Sequence, residues 1–146
     1  MMKALDPRTI MFARHAQHVV LIHFPIAAFI TAVGFDCAAQ WTKRPDMAAA
    51  AYFNLVVAAA STLPVIATGL AAWQWALEGQ PLKGILLLHL TLGTLSSVCI
   101  ALSWWIHWRQ RRRGAALPAY RLPVEVLAVL VIALTGHLGG VLAGVS

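Results

Sequence analysis

The chain reads as an all-α integral membrane protein, a four-helix bundle of up-down-up-down topology. Three observations predict this. Of its 146 residues, 60% are hydrophobic and only 11% are charged, against ~45–50% and ~25% in soluble domains. The mean hydropathy is +0.75. The apolar residues also fall into four runs, each long enough for the ~20 residues that cross a bilayer. No run alternates with a period of two, which argues against a β-barrel. The same composition excludes a disordered tail, a soluble basic nucleic-acid binder and a secreted disulfide scaffold. The formal charge of +6 must lie mostly in the loops, where it reports sidedness rather than nucleic-acid binding. One transmembrane domain is expected over residues 1–146.

The first span is expected at residues 19–41, with Asp36 its only acidic residue, and Lys43-Arg44-Pro45-Asp46 closes it with charge and a helix breaker. The second, at 48–77, is longer than the hydrocarbon requires at ~1.5 Å per residue. Part of it must tilt, kink or project, and Pro64 is the expected kink because it removes a helical hydrogen bond. Glu78-Gly79-Gln80-Pro81 makes the turn. The third span, 84–108, stops at Arg109, Arg111, Arg112 and Arg113, and the fourth, 123–144, opens on Pro123, a favourable first-turn proline. Residues 1–18 do not read as a cleaved signal. The apolar run after them is of span length and no small-residue cleavage site follows, so the first span is expected to stay in the membrane.

The six tryptophans fit these boundaries. Trp41, Trp104, Trp105 and Trp108 fall at one face and Trp73 and Trp75 at the other, as expected of rings that prefer the membrane–water interface. One face collects Lys43, Arg44, Arg109, Arg111, Arg112, Arg113 and Arg121; the other has Lys3, Arg8, Arg14 and Lys83. The richer face should be cytoplasmic. This puts both termini in the periplasm of a bacterial inner membrane, although the flanks of the first span alone point weakly the other way. The arginine stretch itself reads as a stop signal against anionic headgroups. The two cysteines, Cys37 and Cys99, form no CxxC and no CxxCH, so neither a covalent c-type haem nor a thiolate cluster is expected. Both read as small buried side chains.

Six histidines in so apolar a chain require an account. His18, His23, His89 and His137 all belong to one membrane half whichever way the chain inserts. His23, His89 and His137 lie ~7–10 Å from their helix ends. Ionisable groups at that depth are rare, face a bundle interior and usually mark function. Imidazole is a common ligand for iron, copper and zinc, and a haem b takes two axial imidazoles from facing helices. Gly136, Gly139 and Gly140 around His137 admit a flat cofactor, or equally a close helix contact, since Gly136, Gly140 and Gly144 form a small-residue ridge. His18 and His23 are ~140° apart on a regular helix. Pro25 removes the donor to the Leu21 carbonyl; if the regular helix starts near Phe24, both rings can point inward. His15 and His107 read as interfacial side chains. Asp36 is expected to pair with a basic residue of the arginine-rich loops, and Glu125 to sit as an acidic residue at a helix N-terminus.

The run His18-Val19-Val20-Leu21-Ile22-His23-Phe24-Pro25-Ile26-Ala27, the mid-span His89 and the closing Gly136-His137-Leu138-Gly139-Gly140 resemble a bacterial membrane family catalogued as domain of unknown function 2231. The resemblance covers residues 18–145. It departs at Val19, where the family often has proline. Its members resemble small b-type cytochromes in layout, and some adjoin or are fused to c-type cytochrome domains. The resemblance therefore implies a respiratory or redox setting.

The expected function is a small b-type cytochrome-like protein that holds haem b near the periplasmic face and exchanges electrons with a periplasmic c-type cytochrome or a quinone-linked partner. His137 is the first choice of axial ligand, with His23 or His89 as its mate and His18 as a further candidate. Arg14 or Lys83 is placed to meet a propionate. A copper or zinc site on the same four histidines is the alternative, and a cofactor-free structural subunit is the third. No nucleophile or acid–base pair marks an enzyme. Lipid is the expected surrounding and a homo-oligomer is compatible with the sequence.

Overall fold

The computed structural model describes residues 14–75 and 77–144, with side chains from Gln17 onward. The side chains of Arg14 and His15, and all of Lys3 and Arg8, lie outside the described residues. Five helices follow one another: α1 (Arg14–Leu21), α2 (His23–Thr42), α3 (Pro45–Trp75), α4 (Gly84–Arg113) and α5 (Arg121–Leu142). There is no strand among the described residues. Residues Gln17–Thr42, together with α3, α4 and α5, give four segments long and apolar enough to cross a membrane.

Each span packs on its neighbours in the chain. α2 lies on α3, α3 on α4 and α4 on α5, and α5 closes the ring against α2. The core that joins them is thin: Phe29, Ala32 and Val33 from α2, Leu55 and Ala58 from α3, Ile100 from α4, and Ala128 and Ile132 from α5. Its alanines let the backbones approach closely. The outer surface is as apolar as the core. Leu63, Leu127 and Leu130 are 71%, 62% and 62% exposed, and apolar surface on that scale belongs in lipid. Hydroxyls along the helices bond back to the carbonyl four residues earlier, as Thr62 does to Ala58 at 2.8 Å and Thr91 to Leu87 at 2.8 Å. They are thereby satisfied without water.

The boundaries differ from the sequence reading in four places, each for a local reason. α2 starts at His23 after a one-residue interruption at Ile22. Pro25 has no N–H for the Leu21 carbonyl, while the Ile22 and Ile26 amides still reach the His18 and Ile22 carbonyls at 3.0 and 3.4 Å. α3 opens on Pro45 rather than residue 48, the first-turn site where proline loses nothing. It runs for 31 residues, roughly 46 Å at ~1.5 Å per residue, against a hydrocarbon core of ~30 Å. It stays helical through Pro64. α4 continues past residue 108 to Arg113 and ends only where Gly114 takes a left-handed φ of 59°. Its arginines are held by rings: Arg109 over Trp105 at 5.1 Å, Arg112 over Trp108 at 5.1 Å and Arg111 over Tyr52 of α3 at 4.9 Å. α5 begins at Arg121, which leaves Pro123 inside the first turn.

At the other face, the Trp73 indole N–H donates to the Gln80 carbonyl at 2.9 Å and ties the turn between α3 and α4. Cys37, expected to be buried, lies exposed on the outer side of α2, and Cys99 is half-buried.

Candidate functional site

The bundle has two polar centres, one near each end. At the end formed by α1, the start of α4 and the end of α5, two imidazoles meet. The ring centres of His18 and His89 are 6.5 Å apart and their planes stand at 88°. Both side chains are half-buried. His89 Nδ1 lies 3.1 Å from the Thr135 carbonyl of α5. A carbonyl only accepts, so Nδ1 carries the proton and Nε2 the lone pair. His18 Nδ1 lies 3.3 Å from Thr68 Oγ1. That hydroxyl has one proton and gives it to the backbone, with the Pro64 carbonyl 2.8 Å away. His18 is therefore the donor to Thr68, and its lone pair also resides on Nε2. His89 is thus oriented through Nδ1 by the Thr135 carbonyl and His18 through Nδ1 by Thr68, which is how an outer partner positions a metal-ligating histidine.

Two glycines make room for these rings. A Cβ built on Gly69 would stand 2.9 Å from His18 Cε1, and one built on Gly139 would stand 3.1 Å from His89 Cε1. Gly136 instead faces Ile26 of α2 at 3.7 Å, where α5 packs on α2. Gly140 borders open space. Of the residues singled out from the sequence, His18, His89 and Gly139 come together. His23 and His137 are exposed on α2 and α5. Gly69→Val and Gly139→Val should each force an imidazole off its threonine partner. Overpacking of this kind costs about 1–3 kcal/mol, and a lower melting temperature in detergent than for Gly140→Val would register it.

The second centre lies inside the arginine-rich end. Asp36 of α2 accepts from Arg121 of α5 through both oxygens, at 2.7 Å from Nε and 3.1 Å from Nη2. Nη2 also donates to Gln40 Oε1 at 3.0 Å, and Nη1 lies 3.3 Å from the Pro118 carbonyl. His107 Nε2 of α4 lies 2.9 Å from Glu125 Oε1 of α5. Asp36, His107, Arg121 and Glu125 are all buried, and Glu125 Oε2 and Ser103 Oγ have no hydrogen-bond partner. Asp36 thus pairs with a basic residue as expected. His107, expected at the interface, is instead in the interior. It lies five residues inside Arg112 on α4, and only the arginines beyond it reach the surface. Glu125 was expected to serve the N-terminus of its own helix, whereas it reaches across to α4.

All five helices fall within residues 14–145, which match a family model described as "Predicted membrane protein", domain of unknown function 2231. The chain belongs to this family. Neither the curated proteins nor the solved structures hold a match to it. For the domain of unknown function 2231 family, the description supplies a membrane setting and no activity, so chemistry must come from the two centres. The pairing of His107 with Glu125 was the less legible of the two. Its only sequence signal is that residues 107 and 125 are similarly far from the loop joining α4 to α5, which brings them to one level of an antiparallel pair.

Proposed function

We propose that the chain is a small membrane b-type cytochrome-like electron-transfer protein, with His18 and His89 as the axial pair of a haem b. The observation that carries this is the meeting of two imidazoles from different helices in one half of the bundle, 6.5 Å between ring centres. Metal–imidazole bonds of ~2 Å on opposite sides of one ion, with about 1 Å more from each nitrogen to its ring centre, put the ring centres roughly 6 Å apart. The separation here is 6.5 Å. Tetrahedral zinc takes four ligands, and among the described residues the histidine end offers no group of three. Haem b, when bound, supplies a one-electron iron couple whose potential follows axial ligation, hydrogen bonding and burial.

The residues of the chain then have separate tasks. Thr135 and Thr68 fix the two rings through Nδ1 and raise the basicity of Nε2. Gly69 and Gly139 give the Cε1 edges of the two rings room against α3 and α5. Lys83, exposed just before α4, is ~9 Å along the chain from His89 and is suited to meet a propionate. The half-buried rings leave an edge open to a partner, for which a periplasmic c-type cytochrome or a quinone-linked protein fits. The arginine-rich end is the cytoplasmic one in this proposal, and both termini are periplasmic.

The decisive measurement is an absorption spectrum, with metal analysis, of protein purified from membranes of cells supplied with haem. A Soret band with about one iron per chain is expected. Colourless protein without iron overturns the proposal, and copper at the same stoichiometry would replace haem with a mononuclear metal site. Topology is tested separately: tags at both termini should be cleaved by protease added to spheroplasts, and protection of both reverses the orientation.

A further inference from the structure

We propose that Asp36, His107 and Glu125 form a buried site for one divalent first-row transition-metal cation, distinct from the His18–His89 pair. The three side chains come from α2, α4 and α5, and one donor atom of each falls within 4.8 Å of the other two. Three helices rarely bring two carboxylates and an imidazole to one point inside an apolar bundle without a cation to join them, because desolvating the charges costs several kcal/mol each. The Arg121 guanidinium offsets only one carboxylate. It takes both oxygens of Asp36, and the Glu125 carboxylate meets only the His107 imidazole, through Oε1.

The orphaned atoms point the same way. Glu125 Oε2 is fully buried with no hydrogen-bond partner, on a residue that is 2% exposed. A carboxylate oxygen so placed is costly unless something positive meets it. Ser103 Oγ, also buried and without a hydrogen-bond partner among the described residues, lies one turn from His107 on the same face of α4. α3 contributes no ionisable group at this level: it presents the buried Ala51 and Leu55, and Tyr52 is turned to Arg111.

A carboxylate only accepts, so His107 donates from Nε2 to Glu125 Oε1 across 2.9 Å, and a cation that binds these two atoms displaces the shared proton. His107 ligates through Nε2 when its proton resides on Nδ1. Arg121 and Gln40 then act as the outer layer that orients the Asp36 carboxylate, as hydrogen-bonded partners of ligating carboxylates do. Gln40 is exposed, one turn nearer the surface than Asp36, and marks the side from which an ion enters. A mixed oxygen and imidazole set favours Mn²⁺, Fe²⁺ or Zn²⁺ over softer ions.

The test uses the full chain in detergent, stripped with chelator and dialysed against Mn²⁺ or Zn²⁺. Wild type and His89→Ala should both retain about one ion per chain. Glu125→Gln and His107→Ala should bind it about tenfold more weakly or worse. In the wild type, spin-echo spectroscopy of the bound Mn²⁺ should show coupling to an imidazole nitrogen that persists in His89→Ala, a readout that requires no cluster variant to fold. Wild-type protein that retains no metal above the detergent blank overturns the proposal. So does retention in Glu125→Gln equal to wild type, or Mn²⁺ without nitrogen coupling; the cluster is then a hydrogen-bonded ion network only. Because neither probe ion is haem iron, failure here leaves the haem experiment untouched.

Discussion

Replacing His89 with alanine is expected to abolish the Soret band of protein purified from membranes, and His18→Ala to do the same. His23→Ala and His137→Ala should leave the band at its wild-type position and intensity. The contrast follows from geometry. His18 and His89 are the two imidazoles in ring contact, 6.5 Å between centres, and each is oriented by a bond from Nδ1 to a threonine atom. His23 and His137 are exposed. A haem needs both axial ligands to remain low-spin, so the loss of either should be visible even where some haem is retained. Imidazole added to His89→Ala should restore part of the band, because that substitution leaves the volume of the ring empty beside Gly139. If His137→Ala loses the band while His18→Ala keeps it, the axial pair has been assigned wrongly.

Arg121→Met is expected to cost about 3–5 kcal/mol of stability, the range for breaking a buried ion pair from one side. Asp36 is 1% exposed, and without the guanidinium its carboxylate would lose both of its bonds to Arg121 while buried beside the Glu125 carboxylate. Removing both charges, as Arg121→Met with Asp36→Leu, should cost less than Arg121→Met alone, because well-packed apolar pairs replace buried ion pairs at little loss. Denaturant unfolding in mixed micelles, with the four proteins compared as a double-mutant cycle, measures both effects. A single variant within about 1 kcal/mol of wild type would mean that water reaches Asp36 from the Gln40 side, and that the pair behaves as a surface ion pair.

The four spans were legible in the sequence because hydrophobic length is a physical requirement of the bilayer and needs no partner to be read. The ends of the helices were less so. α4 outruns its apolar run because three of the four arginines beyond it, Arg109, Arg111 and Arg112, find an aromatic face, and Tyr52, the ring under Arg111, comes from another helix. Depth was legible too: His18 and His89 do lie in one half of the bundle. Azimuth was not. Whether a histidine on a helix points to a neighbour or to lipid depends on which stripe of that helix the bundle buries, and in α2 and α5 the apolar residues run nearly all the way round. A hydrophobic face therefore gives no contrast by which to orient His23 or His137. The same uniformity hid His107, whose neighbours Arg109 and Arg111 made it look like part of the surface, although its own stripe with Ser103 and Ile100 is the buried one.

The depth of the imidazole pair has an electrical consequence. His89 is the sixth residue of α4, ~7–8 Å along the helix axis from its start, which is roughly a quarter of the ~30 Å hydrocarbon thickness. A full transmembrane crossing is worth ~2.3 kcal/mol per charge at 100 mV, so an electron held at that depth feels only about 0.6 kcal/mol of it. His107 is 18 residues farther along α4, and the cluster there contains no second facing pair of imidazoles. If the proposed haem sits between His18 and His89, its electrons leave by the face through which they came. Exchange at that site should be nearly indifferent to membrane voltage, and the protein would do no work against the potential.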